Sequence, residues 1–244
     1  MYLWRMKRAI IIGASSGIGF EISKLLLADG WNIGVAARRT NRLESLKSMS
    51  PTTVETEYLD ITSDDSSSRI LSLIDRLGGI DLFIQASGIG KQNRDLNQQI
   101  EIDTIRTNTL GFTRVITTVF NYMSKNSGGH ITVISSIAGT KGLGPAPSYS
   151  ASKAFQSTYI QALEQLSNMR HLNIKFTDIR PGFVDTDLLS DDHYPMLMDK
   201  TNVAKEIIRA IHANKHISII DWRWRITTFL WRIMPRYIWR KIKL

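Results

Sequence analysis

The stretch RAIIIGASSGIGFEI, Arg8 to Ile22, joins an apolar run, a turn with three glycines and the start of a helical pattern. Three successive isoleucines, Ile10 to Ile12, read as a strand buried on both faces, as strands of parallel sheets are. Gly13, Gly17 and Gly19 let the backbone turn tightly at the strand end and approach a ligand closely. The helical pattern beginning near Ile18 then points its first free N–H groups at that turn, which suits a phosphate. Gly13, Ser15, Ser16, Gly17, Ile18 and Gly19 are therefore the candidate pyrophosphate cradle. Their spacing is G-x-x-x-G-x-G, not the G-x-G-x-x-G of the commoner dinucleotide turn.

Outward from this stretch, β-branched apolar runs alternate with amphipathic helical ones. The runs predict strands at Arg8–Ile12, Asn32–Ala36, Thr53–Leu59, Leu82–Gln85, His130–Ser135, Ile174–Ile179 and His216–Ile220. Helical patterns lie near 18–29, 40–48, 64–77, 99–124, 148–169 and 201–213. Strands separated by crossover-length helices imply a doubly wound, mostly parallel, Rossmann-like sheet of about seven strands with helices on both faces. No repeat or linker divides the chain, so residues 1–221 read as one dinucleotide-binding and catalytic domain. Residues 222–244 read as a helical appendage.

Composition narrows the class. With no cysteine among 244 residues, disulfides and thiolate chemistry are excluded and nothing argues for secretion. The opening MYLWRMKRAIIIG lacks a small-residue cleavage site and runs directly into the glycine turn, so it reads as a strand and not a leader. The net charge of +9 is concentrated at the ends: residues 1–8 carry three Arg/Lys and residues 222–244 carry seven, neither with an acid. Removing those ten from 31 leaves 21 basic residues against 22 acidic ones. A body near neutrality lacks the basic stripe that nucleic acid requires. No metal-ligand set is expected, and the expected compartment is the cytoplasm.

Cofactor choice is read at the second strand end, GVAARRT. An acid there would bond the adenosine ribose hydroxyls, but Ala37 stands in its place, followed by Arg38 and Arg39. A guanidinium holds a 2′-phosphate through charge-assisted bonds, so NADP(H) is expected over NAD(H), with Arg39 equally readable as a solvated surface residue. Asp60 and Ile61, after the third strand, are the candidate adenine contacts, the Asp60 carboxylate being placed for the amino group.

Chemistry is carried by SYSASK, Ser148 to Lys153. Tyr149 and Lys153 lie four residues apart on one helix face, a phenol beside a cation with only small residues between. Ser136 directly follows the strand HITVIS, His130 to Ser135, and so opens onto the crevice where α/β sheets bind ligands. Asn108 lies upstream in the helical segment DTIRTNTLGF.

Together GASSGIG, Asn108, Ser136, Tyr149-x-x-x-Lys153 and Arg180-Pro-Gly-Phe-Val-Asp-Thr186 resemble the short-chain dehydrogenase/reductase family, over about Lys7 to Ile220. The resemblance implies that Tyr149 is the general acid and base. A free phenol near ~10 is a poor base at neutral pH, and Lys153 and the oxidised nicotinamide would lower that value. It implies further that Lys153 bonds the nicotinamide ribose, that Ser136 holds the substrate oxygen, and that Asn108 binds a water relaying protons from Lys153. Pro181, Gly182, Val184 and Thr186 would seat the nicotinamide, and Ser87 and Gly88 would allow close backbone approach. The family's usual Asn-Ala-Gly after the fourth strand is here Gln85-Ala86-Ser87-Gly88, which puts a sheet-stabilising side-chain bond in doubt. Members usually form homodimers or homotetramers.

The implied function is hydride transfer between NADP(H) and a carbonyl or secondary alcohol; the alternative is a silent nucleotide-binding scaffold acting through its tail, for which an intact tetrad has no use. The loop DLLSDDHYPMLMDK after Thr186 suggests an apolar, adaptable substrate lining, with His193 a surface residue. In WRWRITTFLWRIMPRYIWRKIKL, from Trp222, basic residues recur at helical spacing opposite apolar ones. Pro235 should split the segment into two short helices. Such a segment suits an anionic membrane surface, or covers the substrate pocket or a dimer seam.

Overall fold

A computed structural model describes residues 7–189 and 194–242. His193 and most of the acidic tip of the substrate loop, residues 190–193, thus lie outside the described residues, as do residues 1–6 and 243–244. The seven strands are β1 (Arg8–Ile12), β2 (Asn32–Ala37), β3 (Val54–Tyr58), β4 (Leu82–Gln85), β5 (Gly129–Ile134), β6 (Ile174–Arg180) and β7 (Ile217–Ile219). They form one sheet in the order β3-β2-β1-β4-β5-β6-β7, every pairing parallel. The order reverses between β1 and β4, so a crevice opens at the carboxyl ends of those strands.

Strand alternation assigns the two faces. Ala9 and Ile11 of β1 point to a core shared with α1 (Gly17–Ala28), α2 (Thr40–Met49) and α7 (Lys200–His212). Ile10 and Ile12 point to the opposite core with α3 (Ser66–Arg76), α5 (Phe112–Lys125) and α6 (Pro147–Met169). All three isoleucines are 0–1% exposed, and each such burial contributes about 2 kcal/mol. Gly34 on β2 leaves room for α3: a Cβ there would meet Leu73 at 3.0 Å.

The pattern over 99–124 predicts one helix, and the structure breaks it. Asn97 caps α4 (Gln98–Ile105) by accepting from the N–H groups of Gln99 and Ile100. A π-turn over Arg106–Gly111 then precedes α5. Two tertiary contacts account for the widened turn. The Asn108 side chain is drawn to the backbone of Ile89, and Gly111 sits so close to Ile61 that a Cβ would lie 2.8 Å from its carbonyl oxygen. The C-terminal segment forms α8 (Trp222–Ile233) and a short α9 (Arg236–Trp239), parted at Pro235 as the sequence predicts.

Candidate active site

The glycine turn follows β1 at the switch point. Gly13 (φ +89°) and Gly17 (φ +56°) adopt conformations other residues avoid, and a Cβ on Gly13 would lie 2.6 Å from Ser87 N. The loops after β1 and β4 therefore touch. α1 has no acid in its first turn, and Ser16 at its N-cap gives no side-chain cap bond. That hydroxyl is engaged by Arg39, whose Nη2 donates to Ser16 Oγ (2.7 Å) and Ser15 Oγ (3.4 Å). With no acid in that turn to satisfy its first N–H groups, the glycine turn fits a pyrophosphate.

Arg39 lies across the glycine turn and is not simply solvated. Its Nη1 also reaches Asp187 (3.4 Å), a carboxylate that Arg42 holds at 2.9 Å. Arg38 is exposed beside Asp60. Burial raises the Asp60 carboxyl, but bonds from Thr62 N (2.9 Å) and Thr62 Oγ1 (2.7 Å), with the Arg38 charge, prevail and hold it below the usual range. Ile61 is buried behind it.

Asn108, Ser136, Tyr149 and Lys153 converge at the carboxyl ends of β4, β5 and β6. Ser136 follows β5 and caps a 3₁₀ turn, Ile137–Thr140, accepting from Ala138 N at 3.1 Å and donating to Pro181 O at 3.4 Å. Tyr149 and Lys153 share one face of α6, which opens with Pro147 in its first turn. The Tyr149 ring packs so closely on Gly90 that a Cβ there would lie 2.6 Å from it. Burial pushes the phenol up, opposed by a hydrogen bond with Ser136. The Lys153 ammonium lies 5.7 Å from the ring centroid, over the ring. It donates instead to Ile134 O (3.0 Å) and Gln156 Oε1 (3.0 Å). The net direction for the phenol is upward, set by burial against the Ser136 bond. Lys153 itself is brought down to about 8 by burial, with Asp178 pulling it up, and stays mostly cationic at neutral pH.

Asn108 is fully buried and spends its side chain on the loop after β4. Its Oδ1 accepts from Ile89 N (2.9 Å), and its Nδ2 donates to Ile89 O (2.7 Å) and Ser152 Oγ (3.2 Å). A Cβ on Gly88 would lie 3.1 Å from Asn108 Oδ1 and 3.7 Å from Lys153 Nζ, which places Gly88 against both. The main-chain oxygen of Asn108 accepts from Gln156 Nε2 at 2.9 Å. Gln156, 1% exposed, thus joins Lys153 to the π-turn. Sequence reasoning missed it, although its position three residues after Lys153 and seven after Tyr149 puts it on the same helix face. Asp178 was missed too. It takes Arg180 Nε at 2.7 Å and the Ser135 hydroxyl, a buried charge fixed behind Lys153.

The departure at Gln85 has a local consequence. Its Nε2 folds back onto Ser87 Oγ (2.8 Å), so the longer amide braces its own loop, while its buried Oε1 finds no partner among the described residues. Beyond β6, Thr186 meets the glycine turn: a Cβ on Gly17 would lie 3.1 Å from Thr186 Cγ2. Gly182 packs on the Trp224 indole of α8, where a Cβ would come within 2.2 Å of Nε1. Phe183 lies between Trp224 (centroids 5.7 Å) and Tyr194 (4.6 Å). Val184 pairs with Met198 in an isolated bridge, and Leu188 and Leu197 are exposed beyond it.

Comparison with known proteins agrees with this geometry. The family model for short chain dehydrogenase matches residues 7–194. A Myxococcus xanthus protein described as an uncharacterized oxidoreductase is 30% identical over 238 residues, covering 94% of this chain and 93% of the relative. A short-chain dehydrogenase from Streptomyces avermitilis superposes with a TM-score of 0.82 at 20% identity, over 93% of each chain. One from Sphingobium yanoikuyae, solved in complex with NADPH, gives 0.81 at 20% identity over 98% of this chain and 97% of its own. With its glycine turn at the β1 switch point and its tyrosine and lysine one turn apart beside the β5 serine, the chain belongs to the short-chain dehydrogenase/reductase family of oxidoreductases.

Proposed function

We propose that the protein reduces a carbonyl compound, or oxidises the matching secondary alcohol, with NADP(H) as redox partner and Tyr149 as proton donor and acceptor. The observation that carries the reading is the partly buried Tyr149 phenol, bonded to Ser136 and lying under the Lys153 ammonium against Gly90 of the loop after β4. NADP(H), when bound, supplies or takes up the hydride. The turn from Gly13 through Ser15, Ser16, Gly17 and Ile18 to Gly19 would hold the pyrophosphate, Arg38 the 2′-phosphate with Arg39 beside it, and Asp60 and Ile61 the adenine. Ser87 and Gly88 would border the ribose, and Pro181, Gly182, Val184 and Thr186 would seat the nicotinamide.

In this reading Ser136 orients the substrate oxygen, and Tyr149 passes a proton between its hydroxyl and that oxygen. The Lys153 cation bonds the ribose and lowers the cost of phenolate. Gln156 is a positioning residue that fixes Lys153 and links it directly to Asn108, where a bridging water is expected from the family resemblance. The apolar lining beyond Thr186 favours a lipophilic substrate. Exposed Ile102, Ile105 and Leu110 on α4 and the π-turn support a homodimer or homotetramer.

The test is NADPH oxidation against a panel of aldehydes and ketones. Tyr149→Phe should lose at least about a hundredfold in kcat while still binding NADPH. Full activity in that variant would remove the proton donor from the scheme.

A further inference from the structure

Two faces of α8 are apolar, and only one is used by the fold. Trp224, 3% exposed, and Thr228 are buried against the body, and Trp231 packs on the same core. On the opposite face Trp222, Ile226, Phe229 and Ile233 recur at i, i+4, i+7 and i+11, with Leu230 beside them, each 50–66% exposed. At roughly 100° per residue, Arg225 and Arg232 border this stripe on one side and Arg223 on the other. Arg236, Arg240 and Lys241 continue the positive charge along α9, and residues 222–244 contain no acid. We propose that this stripe is a lipid-contacting surface that seats the enzyme on an anionic membrane.

Charge decides the occupant. A second copy docking through this face about a two-fold axis would bring the same arginines face to face, and the acid beside the stripe, Asp221 at the start of α8, is already taken by Arg223. An anionic headgroup layer meets the arginines with opposite charge while the acyl boundary takes the Trp, Phe and Ile side chains. No helix among the described residues is long and apolar enough to cross a membrane, so the contact lies in the interface plane.

The surface is fastened to the active site at two points. Trp224 of α8 packs on Gly182 and Phe183 in the proposed nicotinamide seat. Trp239 of α9 donates from Nε1 to Gly142 O (2.8 Å), and Lys141 Nζ donates to Met234 O (3.1 Å), in the loop that leads to Tyr149. A bilayer held by α8 and α9 therefore lies beside the mouth of the site, and the substrate class this implies is a lipophilic carbonyl or alcohol partitioned into the membrane. That substrate class rests on the redox reading above; the membrane contact does not.

The experiment is flotation of the full-length protein with phosphatidylcholine vesicles, with and without about one-third phosphatidylglycerol. The wild type should rise with the anionic vesicles and far less with the neutral ones. Ile226→Glu/Phe229→Glu, changed only at exposed positions, should lose at least about tenfold in bound fraction at unchanged thermal midpoint. Absence of wild-type flotation, equal flotation of the variant, or conversion of a dimer into a monomer by the two changes would each overturn the proposal, the last assigning the face to a second copy. Because flotation reads binding without turnover, its outcome is separate from that of the Tyr149→Phe assay.

Discussion

Replacing Gln156 by leucine removes one amide that serves two buried partners. The Lys153 ammonium loses an acceptor at 3.0 Å and keeps Ile134 O, while the Asn108 carbonyl loses its donor at 2.9 Å. A hydrogen bond to a charged group contributes about 1.5–3 kcal/mol, and about 1.4 kcal/mol corresponds to one pKa unit. Burial already holds Lys153 down to about 8, so its loss of a ligand should lower it by about one to two units further. At neutral pH the cationic fraction then falls from roughly nine-tenths to a half or less. If the cation is the working form, as in the proposed reaction, the alkaline limb of kcat should move to lower pH by the same interval. Gln156→Glu should move it the other way, because a carboxylate beside Nζ favours the charged form. A titration of the Lys153 side chain by NMR checks the same shift without turnover. If both variants lose activity uniformly with the limb unmoved, Gln156 is packing alone and the reasoning fails.

Three further outcomes are expected. Arg38→Ala should weaken NADPH binding by about tenfold to a hundredfold while NADH binding changes little, and equal losses by calorimetry would refute the phosphate role. His130 is held at about 4 by burial and the nearby Lys175 charge, below its unfolded value near ~6.5. Its stabilisation is therefore complete above that unfolded value and is lost as pH falls towards about 4, on the order of 3 kcal/mol. Urea midpoints between about pH 7 and pH 4.5 should show this slope, and His130→Gln should flatten it. Gly182→Ala forces a methyl into the Trp224 indole and should cost about 2 kcal/mol, lowering the thermal midpoint by about 4–8 °C. Trp224→Phe, which removes the clashing Nε1 edge, should recover part of that loss in the double variant, and no recovery would refute the contact.

Local signals made most of the fold legible. Strand runs and the glycine turn depend on neighbours in sequence, so β1 through β7 fall within about a residue or two of their expected bounds, and Pro235 splits the tail by its own chemistry. What escaped depends on contacts between distant segments. The π-turn at Arg106–Gly111 exists because Ile89 and Ile61 compete for Asn108 and Gly111, and no propensity in DTIRTNTLGF encodes that. The role of Arg39 is similar: its side chain finds Ser16 and Asp187 across the fold, at sequence separations of 23 and 148. Gln156 was within reach of helical periodicity, but its partners were not, since a glutamine on a tyrosine–lysine face is read as packing until the carbonyl of Asn108 is placed opposite it.

The phenol poses the sharper physical question, because a tyrosine that titrates above its ordinary value keeps its proton at neutral pH and is a weaker acid than a free phenol. Burial without a cofactor charge leaves only the Ser136 bond to oppose that rise. Lys153 is held by Ile134 O and Gln156 in a posture that places its charge over the ring and not at the hydroxyl. A cation held there cannot by itself generate phenolate, yet it is close enough to respond when a ribose and a positively charged nicotinamide share the crevice. The phenol therefore keeps its proton at neutral pH, and both its donation to a substrate oxygen and its loss in alcohol oxidation depend on the charges that substrate and cofactor bring. Asp178, behind Lys153 and fixed by Arg180, favours the charged ammonium and opposes the burial that lowers it.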